Sequence, residues 1–545
     1  MKKNRCAILC RLLAFAAAAA CVSCDGFFDT SSSFVVTDDD HPLTAAADTV
    51  YSVIGILGKV QAIADRTVLF GDLRADLVDE NAYTDNHLRE LIRNDVSPTN
   101  AWVGTRDYYA VINNCNYFLA RADTTVLVAG EKVFLREMAV VKAVRAWTYL
   151  QLALNYGKVP FCTQPILNVS DALRDYPYYD LAQVCDFFIG DLEPFVDTPL
   201  PSYGDIYGIP SRKFFFPVRL VLGDLCLWTQ RYREAAEWYA TWLAEKKLPT
   251  GVISTRVSGI NANDEVTNIS STWITPFLTP SGDEVITLIP MAETRLEGVR
   301  SGLANVFSST EENGNRFQVS PSRSMQELSL GQDYAHSAGA RALKHLTCGD
   351  LRLFSVYPEL FVSANAPVKK PTGREEDEQV LTNMKFRSGH VSVYRVGTIY
   401  LRLAECLNRL GDCETAFAIL KNGGEMSHSG GRLRFDVSTT DDDIYRGIHA
   451  RGSGDAFRNA AYTLPELPTR ADTLRYVEDL IVDEMALETA FEGCRFYDLM
   501  RVALRRGDPS YLASRVAARG GASVLPDAGV LERLSDTSAW YLPQE

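Results

Sequence analysis

Two stretches of this chain, far apart in sequence, carry one pattern. Residues 219–243 read RLVLGDLCLWTQRYREAAEWYATWL, and residues 402–420 read RLAECLNRLGDCETAFAIL. With Gly223 set against Ala404, Cys226 falls on Leu407, Arg231 and Tyr232 on Asp412 and Cys413, and Ala235 on Ala416. Each stretch has apolar residues at helical spacing, a short polar turn, and a second helical run with a small residue where two helices would cross. A chain with such segments is committed to helix-on-helix packing, because each amphipathic helix must bury its apolar stripe against another element.

The pattern resembles a tetratricopeptide helical hairpin; a generic antiparallel helix pair is the plainer alternative. Further helical periods run over residues 45–64, 105–121, 131–156, 181–195 and 474–505, with Gly157 and Pro160 ending the third. Residues 70–79 and the polar run to Trp102 stand outside them. From about 250 to 390 the text changes to Ser, Gly and Asn with short β-like pieces such as residues 284–289. Residues 422–467, with Gly423–Gly424 and Gly430–Gly431, are a second such excursion. Long non-helical excursions on a helical scaffold are where function concentrates. The expected fold is predominantly α-helical: a tetratricopeptide-like hairpin scaffold with long irregular loops and a few short strands. Its divisions are an export signal (1–23), a tether (24–44), an N-terminal helical region (45–249) and a C-terminal region with the loop excursions (250–545).

The N-terminus supports the first two divisions. Lys2, Lys3 and Arg5 form a basic head, and an alanine-rich apolar run interrupted by Arg11 follows. That run falls short of the roughly 20 apolar residues of a membrane span, and fits a secretory signal. It ends Cys21-Val22-Ser23-Cys24. This resembles a bacterial lipobox, with Cys21 where Leu is usual and Cys24 as the acylated residue. An ordinary signal cut near Ala20 is the alternative. Cys24 opens a polar segment able to serve as a leash, and two or more acyl chains anchor stably.

The formal net charge of the 545-residue chain is −14, and loss of the signal makes it more acidic still. Such a chain repels phosphates, which argues against nucleic acid as a partner. Of 12 cysteines, Cys6, Cys10 and Cys21 leave with the signal. With Cys24 acylated, eight remain, Cys115, Cys162, Cys185, Cys226, Cys348, Cys406, Cys413 and Cys494; they contain no CxxC pair, so zinc and thioredoxin readings fail. Buried thiols are expected, with one or two disulfides as the alternative.

Enzyme signatures are missing from the text: no HExxH, GxSxG, P-loop or GxGxxG occurs. The seven histidines are dispersed, so neither a metal site nor a cofactor is expected. One carboxylate cluster bears on catalysis. Glu484, Glu488 and Glu492 recur every four residues, followed by Arg495, Asp498 and Arg501. A glycosidase needs two carboxyls flanking a sugar bond, so Glu484 and Glu488 define a surface-glycosidase alternative. Ion pairing along the ladder is the ordinary role of such spacing.

The same residues carry a family resemblance. Glu492-Gly493-Cys494-Arg495, then Phe496 and Asp498-Leu499-Met500-Arg501, resemble the C-terminal signature of the SusD/RagB family, with Cys494 where a polar residue is common. Residues 400–412, YLRLAECLNRLGD, are similar to the family's helix before its last repeat, shortened or differently phased. Cys24-Asp25-Gly26-Phe27-Phe28-Asp29 looks like the family's opening, and Gly71-Asp72-Leu73-Arg74-Ala75-Asp76 like its N-terminal motif. The resemblance implies a SusD-like fold in an outer-membrane lipoprotein of Bacteroidota that faces the cell exterior. It implies a SusC/RagA-type TonB-dependent transporter as partner. The implied ligand is an oligosaccharide, or in some cases a peptide, captured without catalysis. The acids after Cys24 look like the signal that sends such lipoproteins to the surface.

A capture site needs aromatic faces and planar hydrogen-bonding groups. Trp147, Trp228, Trp238 and Trp242 lie in helical periods and are expected in the core. Trp102 and Trp273 lie in loops and are the aromatic candidates, with Asp79, Asn81, Tyr83 and Asn100 beside Trp102. No motif selects these six; residue type and loop placement do. A purely structural helical adaptor is a further alternative, but it would not need the loops of 250–390.

Overall fold

Both aligned hairpins form. The computed structural model describes residues 46–122, 127–128, 131–132, 134–293, 298–337, 343–362, 381–440, 442 and 444–544. Its main helices are α1 (Ala46–Gln61), α2 (Ala64–Asp72), α3 (Arg106–Arg121), α4 (Leu135–Tyr156), α5 (Leu181–Leu192), α6 (Val218–Trp228), α7 (Tyr232–Lys246), α8 (Val396–Arg409), α9 (Cys413–Lys421), α10 (Arg470–Thr489) and α11 (Arg495–Arg506). The aligned pairs are α6–α7 and α8–α9. Their small residues sit where helices approach closely: Ala235 and Ala416 are fully buried, and a Cβ on Gly223 would lie 2.4 Å from the Tyr239 ring. Asp412 caps α9 by accepting from the Thr415 amide at 3.1 Å.

Each helix from α3 to α9 packs on the next, so α7 meets α8 across the long insertion between the hairpins. α10 lies against α8 and α9, and α11 returns to pack on α2. One buried acid ties the two hairpins together. Asp224 on α6 accepts from Tyr239 of α7 (2.6 Å), Tyr394 (2.7 Å) and Arg402 of α8 (2.6 Å). The core is one contiguous cluster drawn from both sides of residue 249.

Among the described residues the strands form two-stranded antiparallel pairs only. The β-like piece at 284–289 is the strand Val285–Ile289, paired with Val391–Arg395, which runs straight into α8. The excursion after α9 holds the hairpin Gly424–Ser429/Arg432–Val437. Its turn residues Gly430 and Gly431 both take positive φ.

Three helix expectations need correction. The long period at 474–505 is two helices, because Phe491 (φ 67°) and Gly493 (φ 79°) turn the chain between α10 and α11. The helix expected from 131 starts at Leu135, since Glu131–Lys132 pairs with Leu127–Val128. The first helical period is interrupted after Gln61, and α2 takes in Phe70–Gly71–Asp72, which reads as a separate segment.

Trp147 and Trp242 are buried, and Trp228 and Trp238 pack half-buried against the core. The eight cysteines from Cys115 onward are unpaired thiols, six of them buried. Among the described residues no helix is long and apolar enough to cross a membrane. The signal, Cys24 and the tether lie outside the described residues.

Candidate functional site

The C-terminal signature builds a buried ion-pair network. Glu488 accepts from Arg352 (2.8 Å), Arg395 (3.0 Å), Arg451 (2.9 Å) and the Trp273 indole N–H (2.9 Å). Glu484 is held by Arg352 (2.6 Å) and His449 (2.7 Å). Glu492 takes Arg395 and Lys385. All of these side chains are nearly inaccessible. Burial pushes the Glu488 carboxyl up, but Arg451, Arg395 and Arg352 overrule it and hold it far below the usual carboxylate range. Glu484 behaves alike: burial raises it, and Arg352 and His449 bring it below normal.

A glycosidase acid needs a raised pKa and a carboxyl that reaches the sugar bond. Glu484 and Glu488 have neither, and the glycosidase alternative loses its residues. The ladder pairs only in part along its spacing, as Asp498 with Arg501. Arg495 turns to Asp76, 2.7 and 2.8 Å away, and Arg501 to Glu405 and Asp498.

The N-terminal motif docks on this signature. Asp72 accepts from the Gly493 amide at 2.9 Å. The Arg74 guanidinium lies 4.1 Å from the centre of the Phe496 ring and donates to the Trp540 carbonyl. A Cβ on Gly71 would fall 1.8 Å from the Gly493 carbonyl oxygen, so the two backbones touch only because both residues lack one. A cavity of about 80 Å³ beside the signature, lined by Asp224, Trp228, Arg402 and Asp498 among others, has room for a few waters at most. It is too small for a sugar.

The six sequence-selected residues fare differently. Trp273 is corrected: it is fully buried, its N–H completes the coordination of Glu488, and Lys385 sits 4.6 Å from its ring centre. Loop placement carries no information on burial, and this loop aromatic seals the ion-pair network. Asn81 spends its amide on Phe317 and Ser320 and its carbonyl on the Tyr83 amide. Buried Asn100 does the same with His87, Glu90 and the Trp102 amide. Asp79 accepts from the Glu80 amide (2.9 Å) on a strand paired with Val319–Pro321. Burial raises its carboxyl, against the pull of Arg519. Tyr83 and Trp102 stay half-buried, Tyr83 with the Arg316 guanidinium 4.9 Å from its ring centre. The structure thus seats Asp79, Asn81 and Tyr83 against residues 316–320, and holds Asn100 and Trp102 through the helix Asn86–Ile92.

A cleft of about 710 Å³ lies elsewhere, between residues 207–209 and the first loop excursion. One wall is the hairpin Asp205–Ile206/Ile209–Pro210, whose two turn residues, Tyr207 (φ 51°) and Gly208 (φ 77°), are both left-handed. That is the geometry of a two-residue hairpin, where Asn-Gly is preferred. Here a Tyr occupies the first position and is 97% exposed. The ring gains nothing from the fold in that place, which points to a function outside it. Sequence reading missed Tyr207; the signal was the Tyr-Gly pair between Ile206 and Ile209.

Another stretch of wall is formed by Thr382, Asn383 and residues 386–390, around the turn Met384–Phe386. Asn383 accepts from the Lys385 amide (3.0 Å) and donates to Tyr357 (3.0 Å), and its own amide donates to Ser308 (2.8 Å). Lys385 drops into the ion-pair network, donating to Glu488 and Ala490 carbonyls and to Glu492. Phe386 stacks on Phe307, ring centres 5.2 Å apart. Arg387 comes next and is exposed on the cleft wall. His390 accepts from the Met291 amide through Nδ1 (3.1 Å), and burial lowers its pKa despite Glu293.

The family model described as SusD family matches residues 375–522. That span includes the exposed Arg387, the α8–α9 hairpin and the whole C-terminal signature. No curated protein matches the chain. Among solved structures, a SusD superfamily protein from Bacteroides thetaiotaomicron VPI-5482 aligns at 17% identity and TM-score 0.54, over 87% of this chain and 94% of its own. One from Bacteroides fragilis NCTC 9343 aligns at 17% identity and TM-score 0.57, over 92% and 96%. A candidate sugar-binding protein from Bacteroides vulgatus ATCC 8482 aligns at 14% and 0.55, over 85% and 88%. At these identities the structures establish a shared fold. With the matched signature and the helical hairpins that carry it, residues 375–522 are similar to the SusD family, and the chain shares the fold of SusD superfamily proteins.

Proposed function

We propose that this protein captures an oligosaccharide at the cell surface and delivers it to a SusC/RagA-type TonB-dependent transporter, held to the outer membrane by lipid on Cys24. The observation that carries the reading is the 710 Å³ cleft with Tyr207 exposed at its rim. Its size falls in the range of about 300–1,000 Å³ usual for ligand pockets. The Tyr face suits the C–H face of a sugar ring, and the hydroxyls of Ser309, Thr310, Thr382 and Ser388 on the walls suit sugar hydroxyls. The candidate sugar-binding neighbour supports a glycan ligand. Tyr83 and Trp102 are proposed as a second contact surface.

The test is calorimetric titration of the purified protein with neutral and acidic oligosaccharides, followed by chromatography of the same samples. Saturable binding without cleavage is expected. Tyr207→Ala should weaken it about tenfold, or about 1.4 kcal/mol, at unchanged melting temperature. Cleavage products, or binding indifferent to Tyr207→Ala, would overturn this assignment.

A further inference from the structure

We propose that the cleft is built for an anionic glycan, an oligosaccharide whose carboxylate or sulfate docks on Arg387. The proposal rests on the capture reading and narrows its ligand. Four observations carry it. First, Arg387 is exposed on the cleft wall and makes no ion pair among the described residues. The arginines of the nearby network, Arg352, Arg395 and Arg451, are each paired with two or three carboxylates.

Second, its position is built. The preceding turn is pinned from below by Lys385 and from the side by Asn383, so the backbone that displays the guanidinium is held by a rigid base. Pre-organisation of this kind reduces the ordering cost of binding. A guanidinium fork matches a carboxylate or sulfate with two parallel hydrogen bonds.

Third, the wall does not share the acidic balance of the chain. Glu293 is the one carboxylate among the described lining residues, against Arg300 and Arg387. The chain as a whole carries −14. Arg300 is already paired with Glu312, which leaves Arg387 as the available cation among the described lining residues. Fourth, the remaining polar groups nearby can donate. His390 uses Nδ1 as an acceptor toward Met291, which assigns the proton of its neutral ring to Nε2. Hydroxyls of Ser388 and Thr382 flank Arg387 in sequence and line the same wall. A neutral sugar would use these hydroxyls and leave the guanidinium unanswered; an anionic substituent uses both.

The experiment uses matched pairs of probes: oligogalacturonate with its fully methyl-esterified form, and a sulfated galactan oligosaccharide with its desulfated form. Each is titrated into the purified protein, Arg387→Ala, Arg387→Lys and Tyr207→Ala. At least one anionic probe should bind about tenfold or more tighter than its neutral twin, and added salt should narrow the difference. Arg387→Ala should abolish the difference with the melting temperature unchanged, and Arg387→Lys should restore part of it. A neutral twin that binds equally well, indifference to Arg387→Ala, or no binding by any anionic probe would overturn the proposal. Neutral binding weakened by Tyr207→Ala would then leave the capture reading standing, whereas failure of every oligosaccharide would reject both.

Discussion

Asp72 is an acid in a place that punishes charge. Burial pushes its carboxyl up to about 8; the Gly493 amide and Lys385 oppose this, and Glu492 and Asp498 add to it. One of its oxygens, Oδ1, lacks a hydrogen-bond partner. In an unfolded chain the same group titrates near pH 3.9. Between about pH 4 and pH 8 the folded chain therefore holds a proton that the unfolded chain releases, and the contribution of Asp72 to stability falls as pH rises through that window. Asp72→Asn keeps an acceptor for Gly493 and removes the ionisation. Urea midpoints should show the variant gaining on the wild type from about pH 5 to about pH 8. A difference that stays constant across that range would contradict this account. Glu488 is the opposite case: a buried charge with four donors around it. An ion cluster of that kind adds little net stability over an apolar core, and its removal in part is costly.

Elements meet here through glycine. The break between α10 and α11 works because Gly493 takes φ 79° and approaches the backbone of α2. A Cβ on Gly493 would lie 2.0 Å from the Thr67 carbonyl oxygen, so backbone, not a flexible side chain, would have to move. Gly507, at the end of α11, also has positive φ (61°) but open space around it. Gly507→Ala should cost about 1 kcal/mol from backbone strain alone, whereas Gly493→Ala should cost more than about 3 kcal/mol or abolish folding. Equal losses in urea titrations of the two variants would show that the close approach to α2 carries no weight. The break has a consequence for the cleft. It turns Glu492 toward Lys385, and Lys385 anchors the turn that presents Arg387.

For the whole molecule, the decisive contact is between the two ends of the chain. Asp76 and Arg495 form a two-pronged ion pair, 2.7 and 2.8 Å, with both side chains buried. Burial raises Asp76, and the guanidinium of Arg495 brings its pKa below the usual value. α7 and α8 are in contact across the insertion, and one core cluster draws on both halves. Loss of one partner should therefore be felt everywhere. Arg495→Met should lower stability by about 3–5 kcal/mol, with fluorescence and circular dichroism reporting one displaced transition. If the signals from residues before and after 249 separated instead, the two regions would be independent units.

Much of the scaffold was legible in the sequence. Periodicity places α3, α5 and both aligned hairpins, because the spacing of apolar residues is a local property. The change of text after residue 250 marked the loop-rich part in which most of the cleft residues lie, and the Glu-Gly-Cys-Arg signature lies in the stretch that the SusD family model matches. The roles of single residues were not legible. Trp273 reads as a loop aromatic and is a core residue; Glu484 and Glu488 read as a ladder on one helix and are both held by Arg352, over a hundred residues upstream, and by nearer partners. Tyr207 looks like any turn residue until the fold leaves its ring outside and brings the loops of 278–310 and 382–390 beside it. A sequence determines which stretches can be helices and which small residues allow close approach. Burial, ion-pair partners and the walls of a cleft depend on segments that meet only after folding, and only the tertiary structure decided them.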